Sequence, residues 1–495
     1  ILGHSDDRVA IVDAVLLDVF SRIPKEGLAG LHAVVVCGVD DTPGGWQHTD
    51  AARALAGKVP QVVDWDDFLR PCEDAAAKDF ARGAASLSST IWPEDIPECA
   101  ACSMCYTSGT TGHPKGVLYS HRSTFIHTLA MPAKNHHNLG GEDVILPVVP
   151  YFHANGWGLP FLALMLGARL LHNGRFTDAE TILQMAVDWG ATYSAAVPAI
   201  WATARQTLEA NPSKYKAGGG GGGGGGLRLQ SIVCGGSAPS PEMMSWYKRE
   251  YGVQFTQGWG MTETSPMGSN GKAQSKFKHI AWSEEQQFAN VSVAGIPAAG
   301  LEMRIVDSDD FTHALPTDGN AQGELLVRGP WVTSRYHKID KPEAFVKGGW
   351  LATGDVASID PDGNLIIRDR SKDVIKSGGE WISSIDLEKF IIAMKARNGT
   401  GLVFSMVAVV AQPHPKWDER PVAVVVLAPG ASPTEATTAR VRAFCAGSFA
   451  KYELVDDVLL WEEFPMTGTG KVDKKAIRAK LATDGYRLPS LRSKI

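Results

Sequence analysis

Tyr106-Thr107-Ser108-Gly109-Thr110-Thr111-Gly112-His113-Pro114-Lys115-Gly116 gathers hydroxyls, glycines and a lysine directly after the strand-like run Ser103 to Tyr106. Glycines let a backbone come close to a ligand, exposed amides attract oxyanions, and hydroxyls with a lysine ammonium can hold phosphate oxygens. The stretch is not a Walker A loop. That motif needs Gly, four residues and then Gly-Lys, and Pro114 stands five places after Gly109. A surface turn rich in Ser and Thr has the same local look, but this density of Gly, Thr and Lys favours a phosphate site.

Around this loop, from Ile1 to about Gly260, short β-branched runs alternate with helical stretches. Leu31 to Val36, Ser103 to Tyr106, Gly116 to Tyr119, Val144 to Val149, Thr192 to Ala195, Gln230 to Val233 and Val253 to Thr256 read as strands. His121 to Met131, Asp178 to Trp189, Ile200 to Ala210 and Pro241 to Tyr251 read as helices. Such alternation predicts an α/β fold with a mostly parallel sheet covered on both faces. After Ala294 strands follow one another through turns such as Pro361-Asp362-Gly363, which predicts an antiparallel, β-barrel-like part over about 294–368. From Asp369 a smaller α+β unit begins, so the expected division is a large domain over 1–368 and a C-terminal domain over 369–495.

At 495 residues, 44% hydrophobic and 21% charged, the chain has the composition of a globular protein with a sizeable core. Its net charge of −6 gives no global positive field to draw it to nucleic acid. The longest apolar stretch, Gly158 to Leu171, falls short of the roughly 18 residues of a membrane span and carries Arg169. The first residue, Ile1, sits inside a pattern that reads as folded, so the chain is read as starting within a domain and a cytoplasmic location is a default expectation only. Seven cysteines without framework spacing fit a reducing compartment.

Cys99, Cys102 and Cys105 spell the front of an iron–sulfur signature, but the place of the fourth ligand is Gly109. A buried strand over Ala101 to Tyr106 with thiols as small apolar side chains is the expectation. His136-His137 lacks a third ligand at helical spacing and reads as a surface loop. The nine glycines Gly218 to Gly226 read as a flexible connection without chemistry.

Further segments follow the loop in a fixed order: Tyr151-Phe152-His153-Ala154-Asn155-Gly156-Trp157, Gly235-Gly236-Ser237-Ala238-Pro239, and Gln257-Gly258-Trp259-Gly260-Met261-Thr262-Glu263. Then come Thr353-Gly354-Asp355, Asp369 to Trp381 with its Ser377-Gly378-Gly379-Glu380-Trp381 run, and Thr467-Gly468-Thr469-Gly470-Lys471. With these, nearly the whole chain resembles the adenylate-forming enzymes, and within them medium- and long-chain fatty acyl-CoA synthetases and methylmercaptopropionyl-CoA ligases. The resemblance implies a large domain, here without the family's further N-terminal segment, and a small mobile C-terminal domain. It implies ATP, Mg²⁺ and coenzyme A acting on a small-molecule carboxylic acid, a medium- or long-chain fatty acid with 3-methylmercaptopropionate as the alternative, through an acyl-adenylate to a thioester with release of AMP and pyrophosphate.

The same resemblance implies the roles. Thr107, Ser108, Gly109, Thr110, Thr111, Gly112 and Lys115 would face ATP phosphates, and Glu263 with the Thr107 hydroxyl would hold Mg²⁺. Gly235, Gly236, Ser237, Ala238, Pro239, Trp259, Gly260, Met261 and Thr262 would surround the adenine. Asp355 and Arg370 would hold the ribose, with Lys376 also on the nucleotide. His153 and Trp157 would lie on the acid side, and Lys471 would bridge carboxylate and α-phosphate. Lys372 would be the hinge; Gly378, Gly379 and Glu380 would serve coenzyme A, and Trp381 would gate the fatty-acid tunnel. Loading of a carrier protein is an alternative, and related synthetases can be homodimers. Read without the resemblance, His153, Trp259 and Trp381 would be ordinary core aromatics and Lys471 a solvated lysine.

Overall fold

The computed structural model describes residues 1–38, 45–81, 96–107, 114–216, 226–271, 283, 286, 293–307, 310–340, 342–397, 401–467 and 471–492. They form two compact units, one of Ile1–His121 with Arg335–Asp340 and one of Arg122–Ser334 with Lys341–Ile495. Ser108 to Gly112 and Gly218 to Gly225 lie outside the described residues.

In the first unit β1 (Val9–Asp13), β2 (Ala33–Cys37) and β3 (Val62–Asp64) form a parallel sheet in that order. Val34 and Val36 turn one face onto Leu28, Leu31, Trp46 and Leu55. Coverage of both faces does not hold for β1, whose alternate residues Val9 and Ile11 are exposed. A second correction concerns β4 (Ala101–Thr107) and β5 (Lys115–Ser120), which form an antiparallel hairpin instead of parallel strands. The segment between them is too short for the dozen or more residues a parallel crossover requires. On β4 only Cys105 is buried; Cys99 and Cys102 are exposed, which corrects the expectation of a buried cysteine strand.

The second unit is built on β6 (Val144–Pro147), β7 (Arg169–Leu170), β8 (Tyr193–Ala196), β9 (Ser231–Cys234), β10 (Gln254–Gly260), β11 (Met267–Asn270) and β12 (Ile296–Pro297). Their sheet order is β12-β11-β10-β9-β8-β6-β7; β6 to β10 run parallel, whereas β11 and β12 are antiparallel additions. Side chains alternate across this sheet. Leu146, Ala196, Ile232, Cys234 and Phe255 pack with Ile182, Trp201, Leu208 and Tyr247, from the helices Ala179–Asp188, Pro198–Ala210 and Pro241–Tyr251. Ile145, Tyr193, Ala195 and Val233 pack on the other side with Leu159, Leu162 and Trp331. Here both faces are covered, as the near-continuous apolar runs require.

His136 and His137 are buried, not on a surface loop, because the His137 ring meets the Tyr193 hydroxyl at 2.6 Å. Among the described residues no cluster of three His, Cys, Asp or Glu side chains could hold a metal. None of their helices is long and apolar enough to cross a membrane; the apolar stretch from Gly158 yields only the helix Leu159–Leu166.

β13 (Glu302–Val306), β14 (Gly323–Arg328), β15 (Phe345–Val346), β16 (Trp350–Ile359) and β17 (Leu365–Arg370) form the expected antiparallel sheet, with β15 and β17 sharing one edge of β16. A last sheet contains β18 (Ile375–Ser377), β19 (Glu380–Ile382), β20 (Phe404–His414), β21 (Asp418–Leu427) and β22 (Asp457–Leu460). Val409, Ala423 and Val425 pack under Leu387, Ile391 and Val441, while Ala408, Val410 and Val424 pack on Ile477 and Leu481. The small α+β unit is thus a sheet between two helical layers.

Candidate functional site

Parallel strands end in loops at their C-terminal edge, where ligands of α/β folds bind. β9 ends at Cys234 and passes into Gly235 and Gly236; Ser240 then caps the helix Pro241–Tyr251 by accepting the Met243 amide at 3.2 Å. Gly236 adopts φ +85°, a left-handed backbone open to glycine. The Lys471 side chain occupies the space beside it: a Cβ built on Gly236 would meet Lys471 Cε at 2.9 Å and Nζ at 3.4 Å. Ser237 is exposed, Ala238 half-buried and Pro239 buried. The edge of the Trp157 ring fills the equivalent space at Gly235, 2.8 Å from where its Cβ would stand.

Trp157 reaches Gly235 through an unusual backbone. Ala154, Asn155, Gly156, Trp157 and Gly158 all have positive φ, between 47° and 73°. Left-handed turns cost about 1–2 kcal/mol per residue with a Cβ, so the packing of Ala154 and Trp157 must hold this one. Strain of this kind concentrates at ligand sites. His153 immediately precedes the turn, and its imidazole pKa is lowered by burial and then by the Lys471 ammonium, which leaves it neutral at pH 7.

The next strand, β10, carries Trp259 and leads through Gly260 and Met261 into a short turn over Thr262–Thr264. Trp259 Nε1 donates to Asp355 Oδ2 at 3.0 Å, and Arg370 Nε meets Asp355 Oδ1 at 2.7 Å. Asp355 on β16 and Arg370 on β17 are direct register partners, so the antiparallel ladder itself sets this pair. Asp355 is 2% exposed. Burial raises its pKa, while Arg370, the Trp259 hydrogen bond, Lys471 and Lys372 oppose that rise. Three cations therefore act on one carboxylate, a balance suited to an anionic ligand. Lys471 itself is lowered by burial and by Arg370, and Asp355 works against both.

The fold thus brings His153, Trp157, Gly235, Gly236, Trp259, Asp355, Arg370 and Lys471 into one cluster. Thr262 and Glu263 are buried in the turn after β10, where the Glu263 carbonyl accepts the Thr333 amide at 2.8 Å. In the other unit Thr107 and Lys115 face each other across the hairpin. Lys115 is buried with its ammonium 5.0 Å from the centre of the Tyr336 ring.

Other expected site residues sit within the small C-terminal sheet. Lys372 is exposed in the turn before β18. The Lys376 side chain is exposed, and its amide donates to Glu419 at 2.9 Å. Gly378 and Gly379 form the β18–β19 turn, with the Gly378 amide bonded to the Trp417 carbonyl at 2.9 Å and the Trp417 ring against Gly378. Glu380 is exposed and Trp381 half-buried in that hairpin.

Sequence reading missed Glu324, which accepts the Gly354 amide at 2.6 Å and the Ser371 hydroxyl at 2.7 Å and so steadies the turn before Asp355. A lone carboxylate in the apolar strand Gly323–Arg328 was the available signal. Arg420 was missed as well. Buried, it pairs with Asp456 at 2.8 Å and donates to Ser377 Oγ at 2.9 Å beside the Gly378 turn.

The AMP-binding enzyme family profile matches residues 2–337, and that of the AMP-binding enzyme C-terminal domain matches 405–471, ending on the lysine placed at Gly236. The chain belongs to the AMP-binding enzyme family. It is 38% identical to a 3-methylmercaptopropionyl-CoA ligase of Ruegeria pomeroyi, over 97% of this chain and 79% of that protein. It is 34% identical to a medium-chain-fatty-acid–CoA ligase of Ectopseudomonas oleovorans, over 97% of this chain and 78% of that one. Among solved structures, an anthranilate CoA ligase in complex with anthranoyl-AMP shares the fold, with a TM-score of 0.73 at 22% identity over 98% of this chain and 80% of that one. The adenylate-forming fold expected above, with a large N-terminal and a small C-terminal domain, is the observed one.

Proposed function

We propose that this chain is an AMP-forming acyl-CoA ligase for a medium- or long-chain carboxylic acid. The observation that carries the reading is the seat of Lys471 beside Gly236, in one charge cluster with Asp355 and Arg370. Attack of a carboxylate oxygen on the α-phosphorus of ATP forms an acyl-adenylate, breaks the α–β phosphate link and releases pyrophosphate. Lys471 would neutralise the charge growing on the α-phosphate oxygens. Asp355, oriented by Arg370 and Trp259, would accept the ribose hydroxyls; Trp259, Gly260, Met261, Thr262 and the Gly235 to Pro239 loop would line the purine. His153 and Trp157 would face the acid, the neutral imidazole avoiding a second positive charge next to Lys471.

Mg²⁺ is usually held by one or two carboxylates plus substrate phosphates. The buried Glu263 carboxylate and the Thr107 hydroxyl are hard oxygen donors of that kind, and the ion would offset phosphate charge. The Ser108 to Gly112 stretch and Lys115 would serve the phosphates, with Lys376 on the nucleotide side. For thioester formation, rotation of the residues beyond Lys372 about that hinge would carry Lys471 off and bring Gly378, Gly379, Glu380 and Trp381 to the adenylate, where the coenzyme A thiolate displaces AMP. Hinges of this sort are a few loop residues that absorb a backbone change.

A second reading of the acid, 3-methylmercaptopropionate, is favoured by the higher identity to that ligase, 38% against 34%. The test is AMP and pyrophosphate release from ATP·Mg²⁺ with propionate, methylmercaptopropionate and fatty acids up to palmitate, with and without coenzyme A. Release dependent on coenzyme A with one chain class supports the ligase and names its acid. Pyrophosphate release indifferent to coenzyme A would point to another acceptor, such as a carrier protein. No turnover with any acid overturns the reading.

A further inference from the structure

The five residues 369–373 are shared between the two sides of the expected hinge. On the side of the antiparallel sheet, Arg370 is tied to Asp355, the Ser371 hydroxyl to Glu324 at 2.7 Å and the Ser371 amide to the Gly354 carbonyl at 2.9 Å. Lys372 is exposed. Asp373 pairs with Arg478 at 2.7 Å, on the helix Lys474–Thr483 of the C-terminal unit. A rotation about Lys372 would therefore leave 368–371 on their sheet and carry 373 onward with the C-terminal unit.

Asp369 breaks this division. It lies on β17, paired in register with Val356 on β16, so its backbone belongs to the sheet that stays behind. Successive residues of a strand face opposite sides. Arg370 turns to Asp355, and Asp369 turns the other way, to the helix Ser384–Ile392 beyond the hinge. Its Oδ2 accepts the Ser384 amide and the Ser384 hydroxyl, each at 2.6 Å. Lys474 Nζ donates to that hydroxyl at 2.6 Å and pairs with Glu388 at 2.7 Å, whose carboxylate also takes the Val409 amide at 2.7 Å. Asp369 is 1% exposed and Ser384 fully buried. The Ser383 hydroxyl adds a bond to the Arg368 carbonyl across the same junction.

Burial pushes the Asp369 carboxyl up, and the Lys474 ammonium is the foremost influence holding it charged. Lys474 opens the helix that follows Lys471 by three residues, and Asp473 caps that helix through the Ala476 amide at 3.0 Å. A bond network anchored on β17 at one end thus sets the start of the helix next to the lysine placed at Gly236.

We propose that Asp369, Ser384 and Lys474 form a latch that exists only while Lys471 is docked at Gly236, making all three positioning residues for acyl-adenylate formation but not for thioester formation. The inference rests on the acyl-CoA ligase reading above. When the C-terminal unit turns about Lys372, Asp369 stays with β17 and Ser384 leaves, so the two hydrogen bonds across the junction must break. Lys474 keeps Glu388, because both move together. The latch weights the docked arrangement without touching the reacting atoms. A network that served only to stabilise the fold would affect both half-reactions alike.

The test compares Asp369→Asn, Ser384→Ala and Lys474→Met with the unaltered chain, and uses Lys474→Arg as the conservative rescue. Carboxylate-dependent ATP–pyrophosphate exchange reads the first half-reaction; single-turnover transfer from preformed acyl-adenylate to coenzyme A reads the second. Exchange should fall about tenfold or more, since small misplacements at a reacting centre have effects of that size. Transfer should hold or rise, and Lys474→Arg should recover most of the exchange. Proportional loss in both half-reactions, or unchanged exchange in the two mildest variants Asp369→Asn and Ser384→Ala, overturns the proposal. Tryptic cleavage after Arg370 and Lys372 gives a readout without turnover: release of the latch should speed it several-fold at unchanged melting temperature, and an unchanged rate in both mild variants overturns the latch. If the unaltered chain shows no acid-dependent exchange, the ligase reading fails, and the cleavage rates still decide whether the latch exists.

Discussion

Lys471 stands in the space a side chain at Gly236 would take, 2.9 Å from Cε and 3.4 Å from Nζ to the position of such a Cβ. A residue with a Cβ there would also be held at φ +85°. Gly236→Ala should therefore displace the ammonium and lower acid-dependent ATP–pyrophosphate exchange by about 100-fold. The strain adds a stability loss of about 1–2 kcal/mol. Exchange kinetics beside a thermal melt separate the two; a loss of stability with normal exchange would refute the placement of Lys471.

The charge on Lys471 should set an alkaline limit to adenylation. Its pKa is below the ordinary 10.5 of lysine, through burial and the neighbouring Arg370. The amine is charged below its pKa, so the exchange rate should fall as pH rises through a value lower than 10.5. Lys471→Ala should abolish this limb. It should also let the His153 pKa rise towards 6.5, because the lysine charge now lowers it, and NMR titration of the imidazole checks the direction.

Trp259→Phe keeps the ring but removes the N–H that donates to Asp355 at 3.0 Å. A hydrogen bond to a charged group is worth about 1.5–3 kcal/mol, and the buried carboxylate retains only Arg370 as a directly bonded neighbour among the interactions described. Weaker AMP binding by calorimetry, roughly tenfold for the first 1.4 kcal/mol, is expected together with a lower melting temperature.

Gly156→Ala tests the left-handed turn that carries Trp157. A Cβ at this position would come within 2.5 Å of the Tyr151 ring, with φ at +62°. The turn should open, shifting His153 and Trp157. KM for the acid is expected to rise several-fold more than KM for ATP, measured with each substrate varied in turn.

Arg420→Ala should cost about 3 kcal/mol in urea unfolding, as expected when one partner of a buried ion pair is lost. Arg420 is 7% exposed and holds Asp456, Ser377 and the Leu454 carbonyl. Because Ser377 leads into the Gly378 turn, transfer to coenzyme A should suffer more than pyrophosphate exchange.

Much of the fold was legible in the chain because local periodicity is a local property. The strand read over Thr192 to Ala195 is β8 to within one residue, and the helix over Pro241 to Tyr251 has those bounds in the structure. Where the reading failed, the deciding partner was distant in sequence. His136-His137 looks like a polar loop until Tyr193 stands beside it, and Arg420 goes unremarked until Asp456 and Ser377 meet it. Neither contact leaves a trace in the residues adjoining it.

The motif loops, their order along the chain and the switch from alternating to antiparallel structure after Ala294 follow from residue type and spacing alone, since glycine opens backbone conformations closed to other residues and β-branched residues narrow them where they stand. That Asp355 is shared by Trp259 and Arg370, that Lys471 crosses from the last sheet to Gly236, and that Asp369 bonds beyond its own strand were decided by the packed structure. These are contacts between residues up to 235 positions apart, as Gly236 and Lys471 are by number. A buried charge is stable only where an opposite charge or a donor meets it, and which group arrives there depends on how the sheets come together.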